Sequence, residues 1–62
     1  MTDQEKLQME FNRLIGRIAR SPYSVAAVAR QAGVHDGWLR NVNEGKRPLT
    51  QSTFDLVERA FH

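Results

Sequence analysis

The sequence has no cysteine, two prolines, two histidines and a single tryptophan among its 62 residues. Without thiols it can form neither a disulfide nor a thiolate metal site, so packing alone must hold it together. A chain of this size buries only about 60% of the surface it exposes when unfolded, which predicts a thin core. No apolar run approaches the roughly 20 residues of a membrane span. The N-terminus, MTDQEKLQ, is acidic and polar, the opposite of a secretory signal. With the missing cysteines, this suits a reducing cytoplasm. No carboxylate pair or histidine cluster is visible, and the adjacency of His35 and Asp36 does not by itself build a nucleophile or a metal site. The expectation is a protein that is not an enzyme and carries no cofactor, metal or small-molecule ligand.

What the chain does have is charge, unevenly spread. The first eleven residues set Lys6 against Asp3, Glu5 and Glu10. The middle holds Arg13, Arg17, Arg20, Arg30, Arg40, Lys46 and Arg47 against only Asp36 and Glu44. The last fifteen residues set Arg59 against Asp55 and Glu58. A basic centre between acidic ends points to a polyanionic partner.

Apolar spacing predicts four helices and no strand, repeat or linker, hence one all-α domain over residues 1–62. Thr2 and Glu5 form a T-x-x-E capping box. Leu7, Phe11, Leu14, Ile15 and Ile18 then make a helical stripe, which Ser21-Pro22 stops. Ser24 caps a short second helix with Val25, Val28, Ala29 and Ala32 inward. A third runs from His35 or Asp36 to Glu44, with Leu39 and Val42 inward, and Gly45 suits the left-handed position after it. Thr50 caps a fourth, with Phe54, Val57 and Phe61 inward. Leu49, Leu56 and Ala60 lie on a neighbouring face of it, either covering the core edge or forming the seam of a two-fold dimer.

The second and third helices are joined by only Ala32-Gly33-Val34. So short a connection predicts a steep crossing, with Gly33 supplying a positive φ and Ala29 a small contact, and a bulkier residue at 33 pushing the helices apart. The small Ala29, the turn Gly33 and the apolar set Val28, Ala32, Val34, Leu39 and Val42 resemble the helix-turn-helix of the Cro and phage-repressor (lambda repressor-like) family. Gly45-Lys46-Arg47-Pro48 looks like that family's glycine-basic-proline ending, and Phe54, Val57, Ala60 and Phe61 resemble its final core helix. The resemblance covers about residues 24–61, with the helix-turn-helix at about 24–44. Val25 stands where the family usually has glutamine, and His35 where it usually has serine.

The resemblance implies a compact four-helix lambda-repressor-like domain whose third helix enters a DNA major groove. It places His35, Asp36, Gly37, Arg40 and Asn41 toward base edges. Arg40 suits guanine O6 and N7, and Asn41 suits adenine N6 and N7. Asp36 either accepts from cytosine N4 or orients Arg40 one turn on. His35 is either a helix cap or a base reader. Ser24, Lys46, Arg47, Arg13 and Arg17 fall to the DNA backbone. Trp38 either packs, half-buried, or stacks on the sugar-phosphate edge.

The function implied is a sequence-specific double-stranded DNA-binding transcriptional regulator of phage or bacterial type, a repressor acting as a homodimer by operator occupancy, the dimer weak and DNA-assisted. Two alternatives keep the same core. One is a protein-binding adaptor or antitoxin, for which Asp36 and Glu44 leave room. The other is an excisionase-like accessory factor that bends DNA.

Overall fold

Thr2 caps the first helix as its spacing predicts. Its hydroxyl accepts from the Glu5 backbone N–H at 3.2 Å and gives its own proton to the Glu5 carboxylate. The computed structural model describes residues 2–61; the ends of the expected 1–62 domain, Met1 and His62, lie outside the described residues. From this cap α1 runs over Asp3–Arg20. Ser21 ends it in extended geometry, its hydroxyl donating to the Ile18 carbonyl at 2.6 Å. Pro22 has no N–H with which to continue.

Ser24 accepts from Ala27 N–H at 3.0 Å and opens α2, Val25–Ala32. Gly33 then adopts φ +81°. That geometry returns the Val34 N–H to the Ala29 carbonyl at 2.9 Å and the Gly33 N–H to that of Arg30 at 3.1 Å, a Schellman closure. α3 spans Asp36–Asn43. His35 occupies its N-cap position, but the imidazole makes no capping bond, so a side-chain cap is not its role. A short hydroxyl or carboxylate reaches back to the first amides; a ring on the same Cβ overshoots them. Gly45, again at φ +81°, closes α3 by the same device, with Lys46 N–H on the Asn41 carbonyl at 2.8 Å. After the connector, Thr50 accepts from Thr53 N–H at 3.2 Å and starts α4, Gln51–Phe61.

The described residues thus form four helices and no strand, and none of the helices is long and apolar enough to cross a membrane. α1 and α2 each pack against all the others, while no Cα of α3 comes within 8 Å of one in α4. The first helix buries Phe11, Leu14, Ile15 and Ile18, as its stripe predicts, and leaves Leu7 half-buried. Val28, Ala29, Leu39, Val42 and Val57 meet them, and Phe54 packs its ring against Phe11 at 6.2 Å between centroids.

Two expectations change. Leu49, read as a dimer-seam candidate, is only 3% exposed and belongs to this core. It lies two residues before Gln51, in the non-helical connector, so counting helical faces back from α4 misplaces it. And a Cβ built on Gly33 meets nothing within 4 Å, so a side chain as small as alanine there does not wedge α2 from α3. At the level of a Cβ, the demand for glycine is one of backbone conformation. Gly33→Ala is therefore expected to destabilise by about 1–2 kcal/mol, Gly33→Asn by less and the β-branched Gly33→Val by more. Thermal melting reads this as roughly 4–8 °C per kcal/mol for a domain this small. An alanine variant melting with the parent contradicts the left-handed assignment.

Candidate nucleic-acid interface

Burying Leu39 and Val42 turns the opposite side of α3 to solvent, because residues about 180° apart on a helix cannot share a face. Asp36, Gly37, Arg40 and Glu44 are exposed there, His35 is exposed at its start, and Asn41 is half-buried at its edge. Trp38 is half-buried and packs against the core, which accounts for its ring without any ligand.

The exposed face is organised by one ion pair. Arg40 Nη2 lies 3.3 Å from Asp36 Oδ2, one helical turn away, with the two side chains 68% and 49% exposed. Of the two roles open to Asp36, orienting Arg40 is the one this geometry displays. Asp36 also stands where two shallow hollows meet. One, between α1, α2 and α3, is lined by Ile15, Ala26, Arg40 and Asn43 as well. The other, across the Gly33 turn, adds Arg30 and His35. Ala26 and Asp36 line both, so the hollows join into a trough over the α2–α3 junction. Arg30 at this trough was not singled out from sequence, where it reads as one more solvated charge on α2.

The backbone-contact candidates divide. Ser24 sits at the first turn of α2, its oxygen accepting from Ala27 while its proton remains to be donated. Lys46 and Arg47 are exposed in the connector that leaves α3, with Lys46 Nζ 3.0 Å from Glu44 Oε2. Arg13 is exposed on α1. Arg17 is elsewhere: its guanidinium stacks over the Phe61 ring of α4 at 5.9 Å.

A second set of residues, unnoticed in the sequence, holds this face from behind. Gln8 Nε2 donates to the Val42 carbonyl at 3.1 Å and approaches that of Asn43 at 3.4 Å. Turning the Asn12 amide so that its nitrogen faces the Asn43 carbonyl at 2.9 Å and the Asn43 side-chain oxygen at 2.8 Å lets it donate to both, in place of accepting from Gln8 Nε2 at 3.0 Å. Gln4 Nε2 donates to the Leu49 carbonyl at 2.9 Å. The only sequence signal is an i, i+4, i+8 spacing of amides, which reads equally well as a solvated face.

The surface so built offers cations, amides and one aligned guanidinium, the chemistry of recognising an anionic or hydrogen-bonding partner. Comparison with family models, with curated proteins and with solved structures returned no match for this chain.

Because the Asp36–Arg40 pair is solvent-exposed, it contributes little to folding. Asp36→Asn is expected to melt within about 1 kcal/mol of the parent, the loss coming from the pair and from the acid at the start of α3. A larger drop in thermal melting makes the pair part of the fold and not a feature of its surface.

Proposed function

We propose that the chain is a sequence-specific double-stranded DNA-binding regulator, a repressor by operator occupancy, in which residues 24–44 act as a helix-turn-helix. The observation that carries this reading is an exposed Arg40 aligned by Asp36 on α3, with Lys46 and Arg47 exposed in the connector that leaves the same helix. A major groove about 12 Å wide admits α3 with this face inward. Arg40 then reads guanine through two parallel hydrogen bonds, and Asn41 at the edge of the face reads adenine. His35 and Gly37 in the first turn lie nearest the remaining base edges. Phosphates take Lys46 and Arg47, with Arg30 at the α2 side of the trough and the Ser24 hydroxyl at the start of α2. Glu44 yields Lys46 at little cost, since exposed ion pairs are worth at most about 1 kcal/mol.

The same two acids support a second reading. Asp36 and Glu44 each neutralise a cation on the face, as suits a protein-binding adaptor or antitoxin. Binding to duplexes selected from random DNA, followed across salt concentrations, separates the two. DNA binding that weakens steeply with salt supports the regulator, and none at low salt leaves the adaptor. Bending of the selected duplex without repression of a neighbouring promoter supports an excisionase-like factor. On the selected site Arg40→Ala is expected to cost about 1–3 kcal/mol and to relax preference at one base pair. Lys46→Ala or Arg47→Ala is expected to weaken all sequences alike and to flatten the salt slope by about one unit each. Equal loss for Arg40→Ala on selected and random DNA reduces Arg40 to a phosphate contact.

The second partner we propose is another copy of the chain, docked on α4. With Leu49 in the core, the seam reduces to Leu56, 39% exposed, and the half-buried Ala60. Two α4 helices crossing antiparallel at Leu56 bring Arg59 of each chain toward Asp55 of the other, so the surface complements itself in charge. The seam is built from α4, and α3, no Cα of which comes within 8 Å of one in α4, supplies no residue to it. Two half-sites about 34 Å apart, one DNA turn, follow from that symmetry. Leu56→Glu is expected to leave melting unchanged and to abolish cooperative binding to a palindromic site. Sedimentation and stoichiometry showing one independent chain per site before the change rule the dimer out.

A further inference from the structure

The carbonyls that end α3 are not left to water. The last four carbonyls of any helix lack partners within it. α3 has only two turns, too few to be stable by itself. Its Val42 and Asn43 carbonyls receive Gln8 and Asn12 from α1, and the Leu49 carbonyl, at the far end of the connector, receives Gln4. Gln4, Gln8 and Asn12 are spaced four residues apart, so they form a row about 12 Å long on one side of α1. Between the points that Gln8 and Gln4 grip lie Glu44 to Pro48, the segment that carries Lys46 and Arg47.

We infer that this amide row consists of positioning residues for DNA reading: α1 sets the roll of α3, and so the aim of Arg40, through Gln8 and Asn12. The inference rests on the DNA-binding reading above. Leu39 and Val42 hold α3 against the core, but apolar contact is non-directional and permits a small roll. Hydrogen bonds at 2.8–3.1 Å are directional and do not permit it. A small roll of α3 swings the long Arg40 side chain at its outer face. Base readout tolerates little displacement, because a guanidinium must meet two acceptors at once. Phosphate attraction tolerates far more, being long-ranged and sequence-independent. Loss of the row therefore falls on discrimination rather than on affinity for DNA in general.

The test measures, for the full chain, affinity for its selected duplex and for random duplex of equal length. Gln8→Met keeps the length of the side chain and removes its donors. It is expected to lower the ratio of the two affinities about tenfold, to change random-duplex affinity less than about twofold, and to speed amide exchange at Gly45 and Lys46. Gln8→Lys restores donors toward the same carbonyls and is expected to restore the ratio, since its added charge acts on both duplexes alike. Asn12→Ala, a milder change that keeps Gln8, is expected to lower the ratio about threefold and guards against a Gln8→Met chain that does not fold. A parent that discriminates, with variants that discriminate equally well, overturns the positioning role and leaves the DNA reading intact. A parent that binds every duplex alike overturns both.

Discussion

The left-handed backbone at Gly33 is the constraint on which the placement of α3 depends. Three residues separate Ala32 from Asp36, and within them the chain must leave one helix and begin another. At φ +81° the glycine carries the Val34 N–H back onto the Ala29 carbonyl, and Val34 itself packs against the core. Ala29 is fully buried, so no larger side chain holds α2 away from its neighbours. Gly45 repeats the conformation after Asn43, leaving α3 bounded by two turns of the same hand. The space around both glycines is open, which makes the requirement conformational and not steric.

The core that these turns assemble is small and wholly apolar. Among the described residues no polar or charged side chain is fully buried, so the fold meets none of the cost of desolvating one. Its polar connections lie at the rim, chiefly in the amides that α1 extends to α3 and to the connector. Apolar burial brings the helices together, and the directional bonds at the edge choose among the orientations that burial leaves nearly equal.

Folding also redistributes the charge that the chain carries in its middle. Arg17 goes to α4, where it lies over Phe61, and Arg20 returns its Nε–H to the carbonyl of Gly16 on its own helix. Arg40 and Lys46 each meet a carboxylate close in sequence. The basic centre of the sequence is therefore not one continuous stripe. It resolves into an aligned guanidinium on α3, a short basic connector, and Arg30 at the α2–α3 trough.

The four helices, the caps of α1, α2 and α4 and the two left-handed glycines were legible in the sequence because each is settled locally. Thr2, Ser24 and Thr50 act on amides three residues away, and Gly33 and Gly45 act on their own backbone. The apolar stripe of α1 was legible for the same reason, since a helix fixes which residues share a face. Leu49 was not, because it lies outside α4, whose periodicity therefore does not govern it. Nor were Gln4, Gln8 and Asn12, whose acceptors stand 34 or more residues away for Gln4 and Gln8 and lie on α3 or in the connector beyond it for all three. Arg17 and Arg30 differ only by their tertiary neighbours, one drawn to an aromatic ring and the other left at the trough. Local hydrogen bonds and backbone angles are written in adjacent residues, whereas the partners of a surface side chain exist only once distant helices have packed.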